Sequence, residues 1–343
     1  MNDQPTTASM YDVARAAKVS IATVSRTLSG RPGVSDATRQ RVREVAERLN
    51  YVVSPEASGL ARKSTGRVAV VVTSADLWFY STLLAAIEHE LRANQLDVLL
   101  YQIDGSDARH EFFADLPARR KADAVLVVTQ PMLPAEAERL ALLGMHVVTA
   151  GNRLLDYPSV SIDDREVGRL ATQHLIDLGH RRIGQIATLD AEGQIWQADR
   201  ERREGYRQAL ESAGLEIDPG IEIDVPFGLE GGKEAVLRLL DAPAPPTGTF
   251  VHSDEVAFGC FLGLRSRNQT FPYTMSLVGV DDHPFAGVAS LSTVRQDVAA
   301  QGTLAARQVV RLLRGEELPE RHVTVPVELV PRASSFSPES PEA

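Results

Sequence analysis

The stretch Tyr11-Asp-Val-Ala-Arg-Ala-Ala-Lys18-Val-Ser20-Ile-Ala-Thr-Val-Ser-Arg26-Thr-Leu28 decides how this chain is read. Residues 11–17 and 21–28 each carry apolar side chains at helical spacing, and the intervening Lys18, Val19 and Ser20 have the length of the turn in a helix-turn-helix. Ser20 is a suitable N-cap for the second helix. Val13, Ala14, Val19, Val24 and Leu28 fall on the faces that pack together. Ser20 is thereby left at the N-terminus of the second helix, with Ile21, Ala22, Thr23, Ser25 and Arg26 on or beside its outer face. Hydroxyls and end-of-helix amides suit phosphates, and an arginine at this place reaches a guanine edge in a major groove. Periodicity alone equally allows an ordinary helical hairpin whose hydroxyls are merely solvated.

The wording of the stretch narrows the choice. Tyr11-Asp-Val-Ala14, Val19-Ser-x-Ala-Thr-Val-Ser-Arg26, Leu28-Ser-Gly30 and Val34-Ser-x-x-Thr-Arg39 closely resemble the DNA-binding domain of the LacI family of bacterial repressors. Lys18 departs from the pattern, since the family often has Gly there; a side chain at positive φ costs about 1 kcal/mol and is tolerable. Ser35 caps a third expected helix, 36–49, whose Val42, Val45, Ala46 and Leu49 form a stripe able to close a three-helix core. Its Arg39, Arg41 and Arg43 are read as solvent-facing.

Charge is unevenly distributed. The net charge is -10 overall, yet residues 1–63 hold ten Lys or Arg against six Asp or Glu, which makes +4 there and leaves -14 for the remainder. Only the amino-terminal segment attracts a polyanion, and the acidic remainder confines contact with DNA to one end. No apolar run approaches the roughly eighteen residues of a membrane helix, and the N-terminus lacks the pattern of a signal peptide, so a cytoplasmic protein without a membrane partner is expected. A single cysteine, Cys260, excludes an internal disulfide and a Cys-rich zinc site.

From residue 67 the pattern alternates apolar strands with helices. Strands are expected at 68–72, 97–103, 124–128 and 146–149, with helices at 83–93, 111–116 and 134–143 between them. A second series follows: helices at 167–178, 202–213, 231–240 and 256–267, and strands at 182–187, 221–225, 248–252 and 276–280. Such alternation implies parallel sheets covered on both faces, in two doubly wound halves with a cleft between them. A late helix, 302–313, and a late strand, 323–330, are expected to complete both sheets.

This region also resembles the LacI family. Asp163-x-x-x-x-Gly168, His174-Leu-Ile-Asp-Leu-Gly-His-Arg-Arg-Ile183, Arg202-x-x-Gly-Tyr206, Leu277-Val-Gly-Val-Asp-Asp282, Leu291-Ser-Thr-Val-Arg-Gln-Asp297 and Pro331-Arg-x-Ser334 match its effector domain in order and spacing. The resemblance implies an N-terminal all-α helix-turn-helix domain at 9–53, a hinge helix or linker at 54–65, and an effector-binding and dimerisation domain of periplasmic-binding-protein type at 66–335. The last divides into an N-subdomain, about 66–163 and 294–322, and a C-subdomain, about 164–293 and 323–335; a disordered tail, 336–343, follows.

The resemblance also implies roles. In the hinge, Ala57 and Leu60 would meet the minor groove, Leu60 as a wedge that exchanges base stacking for kinked DNA. Effector positions carry over to Arg202, Asp281, Ser253, Phe227, Gln296 and the loop 73–79, which holds Thr73, Leu77, Trp78 and Phe79; Trp196 is expected close to the cleft. Arg202 and Asp281 would supply hydrogen bonds and Phe227 a flat apolar face. Gly151-Asn152 stands where the family often has an acidic residue, and Ser253 where Asn is frequent, so a sugar or sugar derivative is favoured as effector by analogy alone, with a nucleoside-like or aromatic metabolite as the alternative.

Little points to catalysis. There is no Gly-x-Ser-x-Gly elbow and no His-Glu-x-x-His helix, Gly231-Gly232-Lys233 is too short for a phosphate loop, and the consecutive Asp281-Asp282-His283 cannot easily converge on one ion. The expectation is a non-enzymatic, cofactor-free and metal-free homodimeric regulator, a repressor reading pseudopalindromic double-stranded DNA under the control of a small molecule. A transport-type sugar-binding protein or an enzyme on the same fold are the rival readings.

Overall fold

The structure, a computed structural model, describes residues 8–30, 32–51, 64–103, 105–119, 121–129, 133–142, 144–190, 193, 195–269 and 275–338. It divides into two compact units, 1–66 and 67–343. The expected hinge residues Ala57 and Leu60 lie outside the described residues.

In the first unit, α1 (Met10–Ala17), α2 (Ile21–Leu28) and α3 (Asp36–Arg48) close on Val13, Ala14, Ala17, Val24, Val42, Val45 and Ala46, with Val19, Leu28 and Leu49 partly buried at the margin. Each helix starts on a serine. Ser9 and Asp12 form a reciprocal capping box, and Ser20 and Ser35 accept hydrogen bonds from the amides of Thr23 and Thr38. Lys18 takes the left-handed conformation, φ 55° and ψ 45°, and the Val19 amide returns to the Ala14 carbonyl at 3.1 Å. The turn thus has the geometry that favours glycine, built with a lysine.

The second unit contains two six-stranded sheets. Strands β1 (Arg67–Val72), β2 (Asp97–Gln102), β3 (Ala124–Val128), β4 (His146–Ala150), β5 (Ser159–Ser161) and β11 (His322–Thr324) form the first, in the order β11-β5-β4-β3-β1-β2. Strands β6 (Ile183–Leu189), β7 (Glu222–Pro226), β8 (Gly248–Val251), β9 (Ser276–Asp281), β10 (Ser292–Gln296) and β12 (Val327–Val330) form the second, in the order β12-β10-β9-β8-β6-β7. All pairings are parallel except β10 with β12, so the second sheet carries one antiparallel edge. Helices α4 (Trp78–Ala93), α5 (Ser106–Arg119), α6 (Pro134–Leu142), α7 (Asp164–Asp177), α8 (Gln197–Ser212), α9 (Leu229–Leu240), α10 (Asp254–Ser266), α11 (Pro284–Val288) and α12 (Val298–Leu313) accompany the strands. Among the described residues, no helix is long and apolar enough to cross a membrane.

Several expectations are corrected. The single late strand at 323–330 is two strands: β11 pairs with β5 in the first sheet, β12 with β10 in the second, and Pro326, which has no amide to give a ladder, stands between them. The short β5 and β10 were not anticipated as strands. Because β10 pairs along β9 from Ser292 to Arg295, the chain returns to the first half after Gln296, not at about 294, and leaves it again after Thr324, not after 322. Helices α4, α5, α7 and α8 begin three to five residues earlier than periodicity suggested. The tail expected from 336 is anchored at its start: the Phe336 amide donates to Ser276 Oγ at 3.1 Å, its carbonyl lies 2.9 Å from His180 Nε2, and its ring stands edge-on to His180.

Helix α7 crosses α8 at two glycines. A Cβ at Gly168 would lie 1.9 Å from the Arg202 carbonyl oxygen, and one at Gly205 would lie 1.9 Å from the Arg165 carbonyl oxygen. Only glycine lets the two backbones approach this closely, and the approach carries Arg202 to Asp164.

Candidate functional site

In the first unit, α2 presents Ile21, Ala22, Ser25 and Arg26 to solvent, with Ile21 48 % exposed; Thr23 is half-buried. Ser20 is exposed, but its hydroxyl is engaged with the amide and hydroxyl of Thr23, at 3.1 and 2.8 Å, so its first task is to start the helix. Thr27 is 1 % exposed, and its hydroxyl has no hydrogen-bond partner among the described residues.

In the second unit a cleft of about 350 Å³ opens beyond the carboxyl ends of the strands. Thr73 follows β1, Thr129 β3, Gly151 β4, Phe227 β7, and His252 and Ser253 β8; Asp281 and Gln296 end β9 and β10. Strand carboxyl ends are where open α/β sheets expose unpaired backbone and loops, hence where ligands settle.

The polar floor is a connected network. Arg202, on the second turn of α8 and 6 % exposed, donates through Nε to Asp164 Oδ1 at 2.8 Å and through Nη1 to the His252 carbonyl at 2.6 Å. Asp199, fully buried, accepts the amide and hydroxyl of Thr188 and lies 2.7 Å from His252 Nδ1. That contact makes Nδ1 the donor; the 3.2 Å approach of Arg202 Nη1 to the same Nδ1 is secondary to its carbonyl bond. Burial works against the Arg202 charge, but Asp164, Asp281 and Asp199 together hold its pKa above the ordinary value. Burial likewise raises Asp164 in spite of its arginine partner.

Asp281 accepts Gln296 Nε2 at 2.6 Å, and Gln296 in turn accepts Gln301 Nε2 at 2.9 Å. Burial pushes the Asp281 carboxyl up to about 6, opposed chiefly by Arg202. Its backbone holds φ 118°, in the region that favours glycine. Asp254, just behind, is raised well above the usual carboxylate range by burial and by Asp281. Four rings, Phe79, Tyr80, Trp196 and Phe227, supply flat apolar surface to the same cleft.

Of the residues expected at the effector site, Thr73, Leu77, Phe79, Trp196, Arg202, Phe227, Ser253, Asp281 and Gln296 line this one cleft. Trp78 does not: its ring lies 5.1 Å from that of His283. Ser253 is 3 % exposed and caps α10, its hydroxyl accepting the Val256 amide. Sequence reasoning missed Tyr80, Thr129, Asp164, Thr188, His252 and Glu255; a rule that takes the residue just past each expected apolar strand would have found Thr129. At Gly151, φ is 79° and a Cβ would meet Thr129 Cγ2 at 2.6 Å, so the acidic side chain expected by analogy has no room. Among the described residues no group of three or more His, Cys, Asp or Glu is placed to hold a metal ion. Cys260 is fully buried with its thiol directed to the Gly232 carbonyl, and burial raises its pKa, so it is a packing residue.

Known proteins place this arrangement. Residues 9–54 match the family described as bacterial regulatory proteins, lacI family, and residues 172–335 match the periplasmic binding protein-like domain. The HTH-type transcriptional regulator DegA of Bacillus subtilis is 31 % identical over 333 residues, covering 95 % of this chain and 97 % of DegA. Among solved structures, the transcriptional regulator CelR in complex with cellobiose is 28 % identical with a TM-score of 0.70, covering 95 % of this chain and 99 % of CelR. The lac repressor dimer bound to operator and the anti-inducer ONPF shares the fold, with a TM-score of 0.85 at 23 % identity, over 96 % of this chain and 100 % of its own. The identity to DegA over nearly the full length of both proteins, with a helix-turn-helix unit ahead of the two-sheet cleft unit, means that the chain belongs to the lacI family of bacterial regulatory proteins.

Proposed function

We propose that this chain is a transcription regulator, a repressor in its simplest action, that binds a pseudopalindromic operator as a homodimer in the cytoplasm and is controlled by an effector in its cleft. The observation that carries the reading is the coexistence, in one chain, of an exposed α2 face with Ser25 and Arg26 and a polar, aromatic-walled cleft at strand ends. One α2 helix per protomer suffices because two-fold symmetry pairs it with a second. Arg26 reads a base edge while Ile21, Ala22 and Thr23 make the close approach. Ala57 and Leu60 of the hinge meet the minor groove.

The effector is an uncharged, hydroxyl-bearing molecule of sugar-like character, held by Arg202, Asp281, Ser253 and Gln296 against Phe227, with Thr73, Leu77, Phe79 and Trp196 around it. The charge of the lining supports this: Asp164, Asp190, Glu255 and Asp281 face the cleft with Arg202, which already serves Asp164 and the His252 carbonyl. A phosphate or carboxylate would meet excess negative charge and an occupied guanidinium. CelR is a relative seen with cellobiose, which agrees with a neutral sugar. Footprinting of the purified protein on the DNA upstream of its own coding region, with and without neutral sugars, nucleosides and sugar phosphates, tests both halves. Protection of two half-sites that a neutral compound alters supports the proposal; no protected site under any condition, or a response confined to sugar phosphates, overturns it. A transport-type binding protein or an enzyme leaves residues 10–50 without a task.

A further inference from the structure

The cleft has two unlike walls. Among the described lining residues, every charged side chain, of Asp164, Asp190, Arg202, Glu255 or Asp281, stands on the half built round the second sheet, and His252 with its partner Asp199 stands there too. The half built round the first sheet contributes four hydroxyls as its polar side chains, those of Thr73, Ser74, Tyr80 and Thr129. Tyr80 and Thr129 bond each other at 2.7 Å, and Ser74 donates to Asp76. The rest of that wall is carbon, from Leu77, Phe79 and Ile162, with the backbone of Gly151.

Phe79 is braced in this wall. Its ring meets Tyr80 edge-on, centroids 5.3 Å apart and planes at 90°. It also closes over Gly151: a Cβ there would come within 3.3 Å of Phe79 Cζ as well as 2.6 Å of Thr129 Cγ2, at a φ of 79° that already disfavours a side chain. The end of β4 therefore has no place for a polar side chain, and the half-buried ring of Phe79 turns its remaining surface to the cleft.

We propose that the effector is a neutral glycoside with an aromatic aglycone, its sugar hydroxyls turned to the second-sheet wall and its aromatic ring laid against Phe79. The inference rests on the reading of this cleft as the effector site and names the chemical class that the site takes. On the second wall, Asp281 and Gln296, joined at 2.6 Å, set an acceptor beside a donor, and a hydroxyl satisfies both. On the first wall a polar aglycone would give up its water for hydroxyls that are already engaged, and each group left unpaired there weakens binding. A flat hydrocarbon ring gives up no hydrogen bonds and gains contact with Phe79. The same argument separates a plain aromatic ring from a nucleobase, whose in-plane N–H and C=O groups need partners of their own. Replacing a methyl aglycone by phenyl buries on the order of 80 Å² more apolar surface, which corresponds to about 30-fold in affinity.

Calorimetry of the full-length protein without DNA tests this with matched phenyl and methyl glycosides in the α- and β-D-glucopyranoside, β-D-galactopyranoside and β-D-xylopyranoside series, beside cellobiose, adenosine and cytidine. At least one phenyl glycoside should bind, about 30-fold more tightly than its methyl partner and more tightly than cellobiose or either nucleoside. Phe79→Ala should bring that phenyl glycoside down to the methyl level and leave the methyl glycoside unchanged. Circular dichroism checks that the variant is folded, and Phe79→Leu, which keeps an apolar wall without the flat ring, should lessen the phenyl preference several-fold should the alanine variant fail to fold. No binding of a phenyl glycoside in any series, equal affinities within each pair, a preference that survives loss of the Phe79 ring, or tighter binding of cellobiose or a nucleoside would each overturn the proposal. A non-aromatic neutral compound that alters the footprint while no phenyl glycoside binds removes this inference alone. A phenyl glycoside bound as described by a protein that protects no DNA removes the regulator reading alone.

Discussion

At the residue scale, Arg202 shows how one side chain serves two ends. In the effector reading it is a ligand contact, but its geometry is first that of a buried ion pair with Asp164, both side chains 7 % exposed. Breaking such a pair from one side leaves an uncompensated charge, which costs about 3 to 5 kcal/mol. Arg202→Ala is therefore expected to lower the unfolding free energy by about 3 kcal/mol without effector, measured by urea titration, and Asp164→Asn in the same chain should recover part of the loss. Asp281 accepts a side-chain bond from Gln296 and joins no ion pair among the described residues, so it is the cleaner probe of the cleft. Asp281→Asn should weaken binding of the effector found by footprinting by about 2 kcal/mol, ~30-fold in calorimetry, with operator binding unchanged. Unchanged effector affinity would place the site elsewhere. In the first unit, the orphaned hydroxyl of Thr27 predicts that Thr27→Val raises stability by about 1 kcal/mol, read as a higher denaturation midpoint for the first unit; a lower midpoint would mean that the hydroxyl has found water.

At the scale of elements, the crossing of α7 on α8 sets the cleft floor, because the contact at Gly168 and Gly205 brings Arg202 within reach of Asp164 and the β8 end. Gly205→Ala puts a methyl group 1.9 Å from the Arg165 carbonyl, and since backbone must move to admit it, the expected loss is about 3 kcal/mol of stability together with weaker effector binding. Gly287→Ala, in α11 with nothing within 4 Å of the added carbon, is the control and should change neither. Equal stability of the two variants would show that the helices have room to part. The motifs Asp163-x-x-x-x-Gly168 and Arg202-x-x-Gly-Tyr206 had been legible as a resemblance, and the crossing explains the spacing. Each motif places a glycine at the contact, with the charged member of the pair four residues before it in α7 and three before it in α8.

At the scale of the molecule, a segment with +4 precedes a body with -14, so DNA is drawn to the amino-terminal segment and repelled by the rest of the chain. In the proposed reading, the contribution of residues 54–65 is expected only on operator. Leu60→Ser should leave dimerisation and effector binding intact, while band-shift titration and circular-permutation assays record lower operator affinity and less bending. Unchanged bending would sink the wedge.

Much of this protein could be read from its linear order because it rests on local chemistry. A serine before each of three amphipathic segments specifies the small helical unit, and runs of Val and Ile between helices specify two parallel sheets, since both signals lie within a few residues of each other. Nine of the ten effector residues that the family resemblance implied meet in one cleft, most of them because they end or follow a strand or stand at the start of a helix, while Arg202 comes from the second turn of α8. Other features depended on contacts between distant residues. The division of 323–330 between two sheets, the pairing of Arg202 with Asp164 and the anchoring of Phe336 by His180 and Ser276 each join segments far apart in the chain. Trp78 is the sharpest case: an aromatic residue in a cleft loop reads as ligand contact, and its turn toward His283 depends on where the end of β9 lies in space. Local propensity sets which elements form, but the long-range packing of those elements decides which side chains share a wall, and no spacing along the chain encodes that distance.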